Sequence, residues 1–73
     1  MLFSLHSKGL TVDGCELEPS ASCNGANLSG TDLSYLNLTD ASFKRADFTD
    51  SFLAYADLTD VKLLSADLTD ADL

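Results

Sequence analysis

The chain has 73 residues, 45% of them hydrophobic but only 8% aromatic, and twelve acids against four bases give it a formal net charge of −8. That length allows one small domain with an aliphatic core. The acid excess argues against direct binding to nucleic acid or an anionic membrane, and no apolar run approaches the ~20 residues that span a bilayer.

Residues 1–20 read as a separate N-terminal segment. MLFSLHSKGL has too short an apolar stretch for a secretory signal, and Lys8 is its only base. Phe3, Leu5, Leu10, Val12 and Leu17 alternate loosely with polar residues, which suits one or two short strands. Gly9 and Asp13-Gly14 are turn signals, and Glu18-Pro19-Ser20 marks the step into the rest of the chain. The segment is expected to cap the N-terminal end of the core. Cys15 and Cys23 flank the step. They form either a disulfide tying cap to core, or two buried thiols with Cys23 filling an apolar place. A zinc site shared with His6 is a third reading, but it lacks a fourth ligand at finger-like spacing.

From Ala21 to Leu73 the chain divides into blocks of five: ASCNG, ANLSG, TDLSY, LNLTD, ASFKR, ADFTD, SFLAY, ADLTD, VKLLS, ADLTD, ADL. The middle places are Cys23, Leu28, Leu33, Leu38, Phe43, Phe48, Leu53, Leu58, Leu63, Leu68 and Leu73, with no polar interruption. Two places earlier stands a mostly small residue, with Leu36 and Val61 as larger exceptions. On an α-helix, five steps of about 100° rotate each apolar residue by roughly 140° from the last, so no face forms. On a straight strand, five steps send successive ones to opposite faces. A chain that turns a corner once per block can aim them all at one axis. That is a solenoid, whose units bury their apolar sides by stacking on neighbours.

These A-D/N-L-x-x blocks, ADLTD at 56–60 and 66–70 above all, resemble the pentapeptide repeat family over 53 of the 73 residues, about 10.6 blocks. The resemblance implies an all-β, right-handed, quadrilateral parallel β-helix, a β-solenoid of about 2.6 coils at four blocks per coil. The domain boundaries are then 1–20 for the cap and 21–73 for the β-helix. The middle residues and the small residues two places before them are expected inside. Positions twenty apart should stack at ~4.8 Å, and Phe43 and Phe48 should share one coil on adjacent sides.

The outward places carry what functional information there is. Tyr35 and Tyr55 are twenty apart and should stack; with Phe52 and Leu64 they form a candidate interaction patch. The acids also fall in columns, Asp40/Asp60, Asp50/Asp70, Asp47/Asp67 and Asn37/Asp57. Three readings apply to them: a duplex-like acidic surface, weak calcium binding, or a solvated surface whose Asp and Asn side chains satisfy corner backbone groups. The last is favoured. The sequons at Asn27 and Asn37 arise from the repeat pattern itself. No catalytic constellation, cofactor site or clustered metal ligands are visible.

The expected function is therefore a non-enzymatic structural or adaptor module. It mediates protein–protein interaction through a rigid β-helix face or its open C-terminal end. The alternative, implied by the resemblance, is an acidic DNA mimic acting on a type II topoisomerase, as a gyrase inhibitor or protector. Leu73 falls mid-block with no polar cap, so the expectation is either a natural chain that continues or an end covered by another protein or a second copy. No direct nucleic-acid partner and no membrane insertion are expected. The resemblance suggests a soluble protein of the bacterial cytoplasm, or of a plastid or periplasm-like compartment if the disulfide forms.

Overall fold

Asp13-Gly14 is the chain's first structural decision. Both residues take left-handed backbone, φ 52° and 75°. Positive φ at both central residues defines the tight two-residue hairpin turn that matches strand twist, and Asp-Gly is among its preferred sequences. In the computed structural model, which describes residues 10–73, this turn joins β1 (Thr11–Val12) to β2 (Cys15–Glu16). They pair antiparallel, Val12 opposite Cys15 and Thr11 opposite Glu16, and the Leu17 N–H extends the pair by donating to the Leu10 carbonyl at 3.0 Å. The expectations placed on Phe3, Leu5, His6, Lys8 and Gly9 lie outside the described residues.

Beyond the hairpin every block obeys one local rule. The residue after each block's middle pair, at positions 25, 30, 35 and so on to 70, has φ between 57° and 74°. The N–H of the next residue donates back to the carbonyl of the middle residue, as Ala46 does to Phe43 at 3.1 Å and Ala66 to Leu63 at 2.9 Å. A positive φ confined to the third turn residue is the signature of a type II turn. Each block thus turns a corner of its own. The geometry begins one block earlier than the repeat pattern in the sequence, because Ser20 has φ 64° and the Ala21 N–H donates to the Glu18 carbonyl at 3.1 Å.

The corners return the chain to its own flank every twenty residues. Four ladders of parallel bridges result: 22/42/62, 27/47/67, 32/52/72 and 37/57. At each rung a middle residue donates forward, as Leu28 does to the Asp47 carbonyl at 2.7 Å, and the strand residue above donates back, as Asp47 does to Ala26 at 2.9 Å. The left-handed corner residue adds a third bond, Arg45 N–H to the Leu64 carbonyl at 2.8 Å being one. Bonding between tiers therefore continues around the corners, which explains how bridges of single residues hold a stack together. The described residues contain no helix.

Side-chain burial matches this backbone. Leu28, Leu33, Leu38, Ala41 and Phe43 are 0% exposed, with Ala46 and Phe48 nearly so. Leu36, large for a small place, is buried too. Phe43 and Phe48 meet edge to face, centroids 5.1 Å apart at 71°, an arrangement aromatic quadrupoles favour. The burial is not uniform along the axis. Cys23 through Leu53 are buried, Leu58, Leu63 and Leu68 are half-buried, and Leu73 is 71% exposed. The expectation that all eleven middle residues are core needs correcting for Leu73, while Leu58, Leu63 and Leu68 pack against the core but are only partly buried. A side chain in this fold is sealed by the tiers on both sides of it, and no described tier lies above residues 58–73.

At the other end the hairpin lies against the core, with Cys15 and Leu17 buried and Leu10 and Val12 packed on them. Two pins fasten it. Cys15 is joined to Cys23 in a disulfide, their Cα atoms 5.5 Å apart. The Asn27 N–H donates to Asp13 Oδ2 at 2.7 Å. In the tiers above, the equivalent donors at Asp47 and Asp67 find a carbonyl of the tier below. The first tier has none, and the Asp13 carboxylate stands in for it.

Candidate functional site

The corner position decides which side chains project furthest. Its left-handed φ turns Cβ outward and costs a non-glycine residue roughly 1–2 kcal/mol. Gly25 and Gly30 avoid that cost. Asp40, Asp50, Asp60 and Asp70 reduce it, since Asp is among the residues that visit this region. Tyr35 and Tyr55, at φ 66° and 64°, do neither, and the same holds for Arg45 and Ser65 at 60° and 62°. Both rings are exposed, 74% and 80%, so neither stabilises the core. They stack with centroids 5.1 Å apart and planes 14° from parallel, as the tier spacing of ~4.8 Å dictates for equivalent corners. The Tyr35 N–H donates to the Ala54 carbonyl at 3.1 Å and fixes the corner beneath them.

The third ladder runs up to this corner and carries Asp32, Phe52 and Asp72 in bridge register. Phe52 is 47% exposed and is bracketed by the two carboxylate-bearing rungs. The fourth ladder leaves the corner on its other side with Asn37 and Asp57. Leu64, expected beside the tyrosines, is not with them. It belongs to the block of the first ladder, where the Arg45 N–H bonds its carbonyl, and it lies two corners along the chain from Tyr55. Its exposure, 69%, is that of an isolated surface leucine.

Charge is sorted by ladder. The blocks of the first ladder, 21–25, 41–45 and 61–65, contain Lys44, Arg45 and Lys62 and no acid. The other repeat blocks contain nine aspartates and no base. Reading the bases as well as the acids at a spacing of twenty makes this segregation legible in the sequence.

Four of these carboxylates, those of Asp32, Asp47, Asp57 and Asp67, also have local work. Asp32 Oδ1 accepts from the Ser34 N–H at 3.1 Å, and Asp57 and Asp67 each accept from the N–H and the hydroxyl of the threonine two residues on. Asn27 and Asn37 do the same with Ser29 and Thr39. The bond from the Ser34 N–H holds the Asp32 carboxyl below its ordinary range; for Asp57 and Asp67 the threonine hydroxyl is the larger cause and its N–H the second. The favoured reading of the acids, as partners for corner backbone groups, describes Asp32, Asp47, Asp57 and Asp67.

No group of three His, Cys, Asp or Glu among the described residues is arranged to hold a metal. With both cysteines joined to each other, the zinc reading loses its thiolates. An apolar concavity of ≈ 40 Å³ opens among Phe43, Phe48, Leu58 and Leu68 at the residue 58–73 end, about the room a water or two would take. No helix among the described residues is long and apolar enough to cross a membrane.

A turn every five residues, a ladder register of twenty and small residues at the companion inward place define a β-solenoid class. The sequence pattern of pentapeptide repeats matches residues 21–59 and 41–73, in 8 copies. The chain belongs to the pentapeptide repeat family. Proteins of this family are generally non-catalytic structural repeat proteins, and a β-helix is their general fold. No curated protein and no solved structure matches the chain.

Proposed function

We propose that this chain is a non-enzymatic structural or adaptor module, a right-handed quadrilateral β-helix of about 2.6 coils with its N-terminal segment as a cap. It engages another protein through one rigid face or through its open C-terminal end. The observation that carries the reading is the Tyr35–Tyr55 pair: two large, stacked, exposed rings on strained corner backbone. Strain held at exposed aromatic side chains that add nothing to the core points to a task outside the fold. The half-buried Leu58, Leu63 and Leu68 support the second surface, since a partner seated there removes their remaining apolar area from water.

The test is a photo-crosslinking residue in place of Phe52, in cells that make the protein. The expected result is a discrete cross-linked partner that disappears when Tyr35 and Tyr55 are both changed to Gly. A cross-linking pattern unchanged by that double substitution refutes the tyrosine face.

A further inference from the structure

We propose that the Tyr35–Tyr55 corner docks an extended, arginine-rich segment of a partner protein. The inference rests on the interaction reading above and names the chemistry of the partner. Three features of the corner converge on it. Tyr35 and Tyr55 cover one face of each other and leave the outer faces to solvent, as their exposures of 74% and 80% require. A planar guanidinium lies flat on such a face and is attracted by its quadrupole. The ladders on the two sides of the corner carry carboxylates for neighbouring cations of the same segment, Asp32 and Asp72 in register with Phe52 on one and Asp57 on the other. Arginine is the side chain that stacks and forks to a carboxylate at once.

Among the described residues, no base of the repeats stands on the two ladders that flank this corner. Its Lys and Arg within the repeats all belong to the first ladder's blocks: Lys44 and Arg45 stand two corners away, and Lys62 lies past the next corner with its Nζ on the Asp60 carbonyl at 3.4 Å. A second copy that brought its basic flank across would supply the charge but not the fit. Three tiers at ~4.8 Å on a body at most 22 Å wide give a flat flank of roughly 300 Å², against the ~800 Å² per partner of ordinary stable complexes. The tyrosines stand on a convex corner, which a flat flank touches along one line. A flexible segment wraps the corner and reaches both ladders.

The experiment uses the 73-residue protein and a fluorescein-labelled decapeptide of alternating Gly and Arg, with a Gly/Lys peptide of equal charge as comparison, read by fluorescence anisotropy. The variant is Tyr35→Gly with Tyr55→Gly. It keeps the corners, because glycine already holds this φ at Gly25 and Gly30. The expected result is binding of the arginine peptide that weakens about tenfold, ~1.4 kcal/mol, in the variant, with the lysine peptide weaker on the unaltered protein. No binding, equal binding of the two peptides, or undiminished binding by the variant overturns the proposal, the last by showing attraction to the acidic surface as a whole. Sedimentation that shows a Tyr-dependent dimer overturns it in favour of a second copy. A Tyr-dependent cross-link from Phe52 to a segment without arginine overturns this inference and leaves the interaction reading standing.

Discussion

Replacing Ser51 with Ala should make the protein more stable. Ser51 occupies the small inward place that Ala41 and Ala46 hold in neighbouring blocks, and it is 0% exposed. Its main chain is satisfied: the N–H donates to the Phe48 carbonyl at 3.0 Å, and its carbonyl accepts from Asp72 at 2.9 Å. Its Oγ has no hydrogen-bond partner among the described residues. A hydroxyl taken out of water and left unpaired costs about 1–3 kcal/mol. Alanine keeps the Cβ and both main-chain bonds and removes only the orphan oxygen, whose lost dispersion contacts are worth a few tenths of a kcal/mol. The net gain is about 1–2 kcal/mol, which in a domain of this size raises Tm by roughly 4–8 °C per kcal/mol. Urea unfolding followed by circular dichroism should show a higher midpoint with an unchanged slope. The reciprocal change, Ala46→Ser, should lower the midpoint by a similar amount. An unmoved or lowered midpoint for Ser51→Ala would refute the argument, because the hydroxyl would then have to be bonded.

Reduction of the Cys15–Cys23 bridge should cost about 2–3 kcal/mol, the loop-closure value for eight residues of separation, and a melt with and without dithiothreitol reads it. An identical melt in both conditions would mean that the bridge restrains nothing. Asp13→Ala removes both the acceptor for the Asn27 N–H and a residue suited to φ 52°, so it should destabilise by about 1–2 kcal/mol. Asp13→Asn keeps the turn preference and an acceptor oxygen, and chemical denaturation should find it much milder than Ala. Acid should act on the threonine-bonded aspartates. Hydrogen bonds hold Asp57 and Asp67 below the ordinary 3.8 in the folded state, and unfolding releases them. The unfolded chain therefore takes up protons first on acidification, and the stability these bonds supply is present above about pH 4 and lost as pH falls through the folded values. Carboxyl titration by NMR should place both midpoints under 3.8; a midpoint at or above it contradicts the bonding.

Much of the fold was legible because one period cannot serve two geometries. Apolar side chains at every fifth place fit neither helix nor strand, and only a corner per block brings Leu28, Leu33, Leu38, Phe43 and Phe48 to one axis. The pairings of Tyr35 with Tyr55 and of Asp47 with Asp67 come from the family's twenty-residue return and appear as a ring stack and a bridge. The hairpin at Asp13-Gly14 was likewise a local signal, since backbone sterics alone favour that dipeptide in that turn.

Other features depended on which residues become neighbours. Nothing in the order of residues said that Asp13 would supply the acceptor missing below Asn27, because that bond spans fourteen residues and exists only once the hairpin lies against the first tier. Leu64 looked like a companion of the tyrosines until the ladders put it two corners away. Leu73 matches the core pattern as well as Leu28 does, yet it is 71% exposed where Leu28 is sealed. Residue type and spacing set the direction in which a side chain points. Burial also requires another layer of chain against it, and that layer is a property of the stack rather than of any one block.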